Sequence, residues 1–331
     1  MGHRSGPLLG ILLLLAAPAP VFAQEEPVAA TAPETAGGPV SHRALAGHLF
    51  VPSHLVQDPF SYTSVGVFWG VGGGDAVGPT LDLGPPPRID FQNSRSYGFN
   101  GLGIGMILDA RILEWLSIHG SAEATAYLGT GNRSLLVLGT NAQITGSVGL
   151  KGSLRLGEHV RLAAILDAQY GPVFTALIVQ GLIDAVNSGQ ISLDQFYQER
   201  RALTWIPALA GAFAPFPFVG VTVNVRLLFP DGSGNAQFAS SGIALAGMVD
   251  LDLRPLVPVL PLGLSGVYSL LSPLGGALAT TQNFGLGVYY TGVPELAAGI
   301  EIDWRLGRIA SEHASSFTSA WVNLRYYWGG T

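Results

Sequence analysis

Residues 116–128 read Leu-Ser-Ile-His-Gly-Ser-Ala-Glu-Ala-Thr-Ala-Tyr-Leu. The even positions (Leu116, Ile118, Gly120, Ala122, Ala124, Ala126, Leu128) are apolar or small. The odd positions (Ser117, His119, Ser121, Glu123, Thr125, Tyr127) are polar. Successive side chains of a strand point to opposite faces, so the segment is a strand with one apolar and one polar face. Its length matters as much as its alternation. Ordinary strands run ~5–6 residues, whereas a strand that crosses a bilayer at a tilt needs ~9–11.

The same pattern recurs outward in both directions. In residues 141–156, Ala142, Ile144, Val148, Leu150, Leu154 and Leu156 alternate with Asn141, Gln143, Thr145, Ser147, Lys151, Ser153 and Arg155. Residues 219–227 set Val219, Val221, Val223, Val225 and Leu227 against Gly220, Thr222, Asn224 and Arg226. Residues 298–306 set Ala298, Ile300, Ile302, Trp304 and Leu306 against Gly299, Glu301, Asp303 and Arg305. Less regular segments of the same length lie at 61–71, 97–109, 160–170, 202–214, 238–253, 259–271, 282–291 and 317–328, which makes about twelve strands. The gaps alternate between short (110–114, 157–158, 215–217, 254–258, 292–295) and long (72–96, 129–140, 171–201, 230–237, 272–281, 307–316). Short turns on one side and longer loops on the other are the habit of transmembrane barrels. A sheet in lipid must close, because an open edge would strand backbone donors and acceptors in hydrocarbon. The fold expected is all-β: a closed antiparallel transmembrane β-barrel of about twelve strands.

Composition agrees. Of 331 residues, 48% are hydrophobic and only 11% charged, against about a quarter charged in a soluble protein; mean hydropathy is +0.39. Too few charges are present to coat a soluble surface of this size. With no Cys, disulfide scaffolds, cysteine zinc sites and Fe–S clusters are excluded. A net charge of −6 leaves no basic footprint for nucleic acid. A helical membrane protein is the competitor, since residues 202–225 carry no charge, but Pro207, Pro215 and Pro217 interrupt that stretch.

The amino terminus reads as an address. His3 and Arg4 precede an apolar run from Leu8 to Ala17, and Val21-Phe22-Ala23 fits a cleavage site before Gln24. The run is too short to span a bilayer, so residues 1–23 are expected to be a cleaved secretory signal. Residues 24–59 are expected to be a flexible periplasmic linker, Pro/Ala/Glu-rich over 24–41,, and residues 60–331 the barrel.

In the last segment, Val322, Leu324, Tyr326 and Trp328 share one face and Asn323, Arg325 and Tyr327 the other. This resembles the terminal strand of bacterial outer-membrane β-barrel proteins of the porin-like superfamily, which ends in an aromatic residue; here Gly329-Gly330-Thr331 follow Trp328. The resemblance implies location in a bacterial outer membrane, contact with outer-membrane lipid, and delivery to the barrel-assembly machinery through the C-terminal strand. Trp115, Tyr170, Trp205, Phe229 and Trp328 fall near expected strand ends, where amphipathic rings favour the headgroup zone.

If the apolar faces meet lipid, the polar faces line a lumen. The expected lining charges are Lys151, Arg155, Arg161, Arg226, Arg305 and Arg325 against Glu123, Asp167, Asp250, Asp252, Glu301 and Asp303. Glu123 falls beside the Lys151/Arg155 strand, Arg226 beside Asp250/Asp252, and Arg325 beside Glu301/Asp303. Such charges either pair across strands and fill the barrel or face each other across water. The loop 171–201 carries apolar residues at helical spacing (Phe174, Leu177, Ile178, Leu182, Ile183), and Ser192 with Gln195 forms a capping box leading into 193–201. A helical loop constricting or capping the mouth is therefore expected. His119 and Ser121 share a strand face, the pattern of some outer-membrane lipid hydrolases, but the face points inward. No metal-ligand spacing appears among the histidines, and Gly101, Gly103 and Gly105 precede no helix, so neither a metal, a phosphate loop nor any other cofactor is expected. The leading expectation is a porin-like channel for small solutes with a loop partly closing its mouth. The alternative is a closed structural or interaction barrel presenting its loops, and lipid hydrolysis is the minor one.

Overall fold

The computed structural model describes residues 43–82, 88–131, 134–135, 140–176, 197–231, 241–274, 280–309 and 313–328. Two short strands, β1 (Ala44–Leu45) and β2 (His48–Leu49), form a small hairpin. Twelve long strands follow: β3 (Thr63–Asp82), β4 (Arg88–Leu113), β5 (Leu116–Gly129), β6 (Thr140–Leu156), β7 (Val160–Ala176), β8 (Tyr197–Phe216), β9 (Val219–Pro230), β10 (Gly242–Asp252), β11 (Leu262–Pro273), β12 (Thr281–Tyr290), β13 (Leu296–Ile309) and β14 (His313–Trp328). Each pairs antiparallel with its sequence neighbours. β14 pairs with β3 from Trp328↔Thr63 to Ser316↔Asp75 and closes the barrel.

The period-two reading holds strand by strand. On β6, Ile144, Val148, Leu150 and Leu154 face out and are exposed, while Gly149, Lys151 and Ser153 face in and are buried. On β14, Leu324, Tyr326 and Trp328 are exposed and Asn323, Arg325 and Tyr327 buried. The outer surface is thus an apolar band that only hydrocarbon can cover at this size. Trp205 of β8 pairs with Phe229 of β9 and lies two residues from Leu203, which pairs with Tyr170 of β7. The three exposed rings form an arc towards the long-loop side,. Trp115 and Trp328 are exposed at the short-turn side, the periplasmic end. Together these make the chain an outer-membrane β-barrel. Among the described residues no helix is long and apolar enough to cross a membrane, and the uncharged stretch 202–225 is β8 and β9.

Two expected loops are partly strand. Residues 72–96, expected to connect β3 and β4, lie mostly within them, with a bulge between Pro79 and Thr80. The glycines along β3 have a packing role. A Cβ on Gly70 would meet the Trp321 ring at 2.5 Å, and one on Gly72 the Phe317 ring at 2.5 Å. They leave room for inward-pointing rings of β14. The helix expected over 193–201 is also corrected, since residues 197–201 are strand paired with 172–176 of β7. Pairing with β7 gives residues 197–201 a ladder of backbone hydrogen bonds, which outweighs a local capping box,. Phe174 lies on β7. Leu177, Ile178, Leu182 and Ile183 lie outside the described residues.

Candidate functional site in the plugged lumen

The lumen is occupied. Residues 43–62, Arg-Ala-Leu-Ala-Gly-His-Leu-Phe-Val-Pro-Ser-His-Leu-Val-Gln-Asp-Pro-Phe-Ser-Tyr, do not trail from the barrel as a linker. They enter at the periplasmic end, rise to His54 and return to β3. This corrects the expected linker over 43–59.

Local chemistry starts the fold of this plug. Between β1 and β2, Ala46 and Gly47 both have positive φ, 47° and 84°, the two-residue turn that matches the twist of a hairpin. A Cβ on Gly47 would sit 3.5 Å from Pro217, so the hairpin lies against the β8–β9 turn. Arg43 donates to the carbonyl oxygens of Phe50 at 2.6 Å and Pro294 at 3.1 Å, and its guanidinium lies 4.5 Å over the Tyr327 ring.

Two apolar clusters then hold the plug to the wall. Leu45, Phe50, Phe60 and Tyr62 pack on Ala212, Ala214, Ala297 and Tyr327. Val51 and Val56 pack on Ala246, Met248, Val267 and Tyr289. This explains why residues 202–214 lack alternation: Ala208, Ala210, Ala212 and Ala214 face inward and are buried. Small inward side chains on β8 and β10 make room for a segment of chain.

Polar anchors fix its register. His48 Nε2 lies 3.0 Å from Asp250 Oδ2, both fully buried, and the same oxygen accepts from the Val51 amide at 3.1 Å. His54 bridges two carboxylates of β13, Nδ1 to Glu301 and Nε2 to Asp303 at 3.1 Å. Burial alone would lower the His54 pKa, but the hydrogen bonds and charges of Asp303 and Glu301 outweigh it and raise it to about 10,. Gln57 Nε2 lies 3.2 Å from His119 Nε2. Asp58 accepts from Tyr62 and stands 3.4 Å from Lys151 Nζ. Burial pushes the Asp58 carboxyl up, yet Lys151 and Arg325 hold it below its usual value. Ser153 Oγ donates to the Pro59 carbonyl at 2.6 Å.

The expected charges lie on barrel strands, Arg155 and Arg305 near the two rims, and they are not joined in the expected pairs. Lys151 lies opposite Ser117 and Glu123 opposite Thr145. Arg226 lies opposite Ala244, six residues from Asp250. Arg325 lies opposite Ala297, four residues from Glu301 and six from Asp303. Four to six residues are ~13–20 Å along a strand, so neighbouring strands carry opposite charges at different heights. Arg325 instead binds Asp109 of β4 and donates from Nε to the Ser64 hydroxyl oxygen at 3.0 Å. Lys151 stands 3.6 Å from Asp109. Asp167 pairs with His119, and Asp252 accepts from Thr291 at 2.9 Å. Arg161 donates to Ser153 at 2.7 Å and lies 5.5 Å over Phe60. Arg155 is exposed at the periplasmic rim and donates to the Gly157 carbonyl at 3.0 Å. Arg305 is exposed toward the outer mouth and donates to Asn283 at 3.0 Å. Glu123 and Arg226 line a cavity of about 240 Å³ beside the plug, with Ser121, Ser147, Asp167 and Gln169.

Sequence reasoning missed His48, His54, Gln57, Asp58 and Asp109. A signal was present: residues 24–41 contain no aromatic or leucine, whereas 43–62 contain three Leu, two Phe, one Tyr and two His. That is the composition of a segment with something to bury. His54, Glu301 and Asp303 also form the one group of metal-ligand chemistry among the described residues. Both imidazole nitrogens are engaged by carboxylates, so the group acts as an ion triad that docks the plug. The hydrolase pattern does not assemble: His119 pairs with Asp167, and Ser121 shares a 2.7 Å hydrogen bond with Ser147.

Above the plug, toward the long loops, the lumen opens into a cavity of about 410 Å³ lined by Phe99, Tyr127, Asn141, Gln143, Thr281, Arg305 and Phe317.

No protein-family model and no curated relative matches the sequence. Among solved structures the chain is similar to the transport unit of the autotransporter AIDA-I from Escherichia coli, at 10% identity over 86% of this chain and 95% of that one, TM-score 0.49. It is also similar to the COG4313 outer membrane channel from Pseudomonas putida F1, at 13% identity over 84% and 100%, TM-score 0.45. The KdgM porin in complex with disordered oligogalacturonate aligns at 9% identity over 78% and 99%, TM-score 0.43.

Proposed function

We propose that this protein is an outer-membrane channel for small solutes, closed at its periplasmic half by its own N-terminal segment. The observation that carries the reading is the division of the lumen. The outer half is an open cavity walled by aromatic, amide and hydroxyl groups. The inner half is filled by residues 43–62, tied to the wall through separate side-chain contacts rather than through the sheet. A barrel meant only as a scaffold has no need of a hollow outer half, and a permanently open pore has no need of a plug. Passage then requires the plug to leave or to shift from the β5–β7 wall, where the contacts are polar and a cavity already runs beside it. A closed structural barrel is the second reading, favoured by how completely Leu45, Phe50, Val51 and Phe60 are buried.

Conductance in planar bilayers separates the two. The full-length protein should be closed or open only briefly, and a chain lacking residues 43–59 should give discrete, long-lived openings. The barrel should survive that deletion, because its hydrogen-bond ladder is closed without the plug,. A deletion variant that inserts normally and conducts nothing would replace the channel by the scaffold reading.

A further inference from the structure

The cavity beside the plug carries two charges that the protein does not use. Its lining comes partly from the plug and partly from the barrel wall, and every other charged group on it is engaged. Lys151 is taken by Asp58 and Asp109, and Arg325 by Asp109. His54 is taken by Glu301 and Asp303. Asp167 pairs with His119 and accepts from Gln57 at 3.4 Å. Arg226 and Glu123 are left: among the described residues neither has a hydrogen bond or an ion pair, and Arg226 Nε is buried without a partner. Asp167 reaches Arg226, and His54 and Arg305 reach Glu123, only through space.

The sheet explains why both stay unpaired. Arg226 of β9 stands between Ala208 of β8 and Ala244 of β10. Glu123 of β5 stands between Gly105 of β4 and Thr145 of β6, and the Thr145 hydroxyl oxygen accepts from Gln143 at 3.0 Å. Neither charge has an ionic neighbour on the adjoining strands, and four strand steps separate the two around the barrel. They face one cavity from two sides. Glu123 is four residues below Tyr127 on β5, and Ser147 four below Gln143 on β6; Tyr127 and Gln143 wall the outer cavity. The inner cavity therefore continues the outer one down this polar wall.

Ligand chemistry follows from the two unused charges. A buried charge without a partner is costly. An anion would satisfy Arg226 but meet the carboxylates of Glu123 and Asp167. A cation would satisfy Glu123 but meet Arg226. A neutral sugar or a hydrocarbon satisfies neither. A molecule with both a carboxylate and an ammonium group satisfies both, and a guanidinium matches a carboxylate with two parallel donors. Val56, Ile107 and Ile206 on the same lining suit the carbon skeleton between the charges. The volume, about 240 Å³, is just under the ~300–1,000 Å³ of sites for drug-sized ligands, which suits an amino acid or a dipeptide.

We infer that the cavity beside the plug binds a small zwitterion of the amino-acid or dipeptide class, with Arg226 donating to its carboxylate and Glu123 accepting from its ammonium group. The inference names a solute class for the channel reading and rests on that reading for the passage of the solute. Binding itself is measured separately from conductance.

The test is calorimetric titration of the full-length protein near neutral pH in a non-ionic detergent. Alanine, alanylalanine, propionate and ethylammonium are the probes. The two zwitterions carry their charges at different separations, so at least one of them should bind, and at least tenfold more tightly than propionate or ethylammonium. Arg226→Gln and Glu123→Gln should each weaken that zwitterion tenfold or more. Glu123→Gln should also bring propionate level with it, and Arg226→Gln should do the same for ethylammonium, a crossed pattern that a general loss of structure would not give. Either variant serves if the other fails to insert. No zwitterion binding, a singly charged probe as tight as the zwitterions, or unchanged affinity in both inserted variants would overturn the inference. Zwitterion binding without conductance in the chain lacking residues 43–59 would sink the channel and leave the site. Conductance without zwitterion binding would do the reverse.

Discussion

Replacing His54 with Ala should loosen the plug more than any other single substitution in it. Its imidazole stands between Glu301 and Asp303, whose side chains are 2% and 7% exposed. Without it two carboxylates remain buried and uncompensated. Removing one partner of a buried ion pair costs ~3–5 kcal/mol. The linkage argument gives a similar figure: the rise from 6.5 to about 10, at ~1.36 kcal/mol per pH unit, corresponds to ~5 kcal/mol. Glu301 keeps its hydrogen bond from Tyr289, which favours the lower end. A loss of ~3 kcal/mol raises the released fraction ~100-fold. The chain has no cysteine, so one introduced thiol reports cleanly. Met248 is buried beneath Val51 and Val56 and becomes reachable only when the plug leaves. Met248→Cys in a bilayer should react slowly with a membrane-impermeant maleimide. Met248→Cys with His54→Ala should react ~100-fold faster, because labelling tracks the open population when reclosing is rapid. Equal rates in two correctly inserted proteins would refute the claim that this triad holds the plug.

The same thiol measures pH dependence. His54 has a raised pKa, so its contribution is fully present below 6.5 and is lost as pH rises through about 10,. Asp58 has a lowered one, so its contribution is present above 3.8 and is lost as pH falls below that value. Labelling, referenced to a free thiol at each pH, should stay slow between about pH 5 and about pH 6.5 and accelerate progressively from there towards about pH 10,; a rate that stays flat over that upper range would contradict it. On the barrel, Ile144→Arg should lower stability or insertion by ~2–4 kcal/mol, since Ile144 faces out, whereas Ser147→Arg should be milder; equal effects in heat-modifiability assays would refute the facing of β6. Gly103→Ala should destabilise by ~1–3 kcal/mol, read as an earlier loss of the heat-resistant band, because its Cβ would meet the Trp321 ring; an unchanged transition would mean that the ring has space to move.

What the sequence by itself determined is the barrel. Alternation over 116–128 and 141–156 states which face meets lipid, and segment length states that the strands cross a bilayer, because both follow from backbone geometry local to each strand. The twelve segments correspond one to one with β3–β14, and all twelve expected charges lie on those strands. Partnership was not legible. Asp250 meets His48 across 202 positions and Glu301 meets His54 across 247. Arg325 meets Asp109 around the closure of the barrel, two strands away. Adjacent strands with opposite charges suggested pairs, but strand register set those charges four to six residues apart, and register is a property of the closed sheet. The plug shows the same limit. Residues 43–62 are too short and too irregular to announce a structure, and their Leu, Phe and His side chains acquire meaning only when the barrel supplies alanines to bury them and carboxylates to fix them. The glycines of β3 show no use until the rings of β14 stand against them. Periodicity is written in neighbouring residues; the contents of the lumen are decided by contacts that exist only once the sheet has closed.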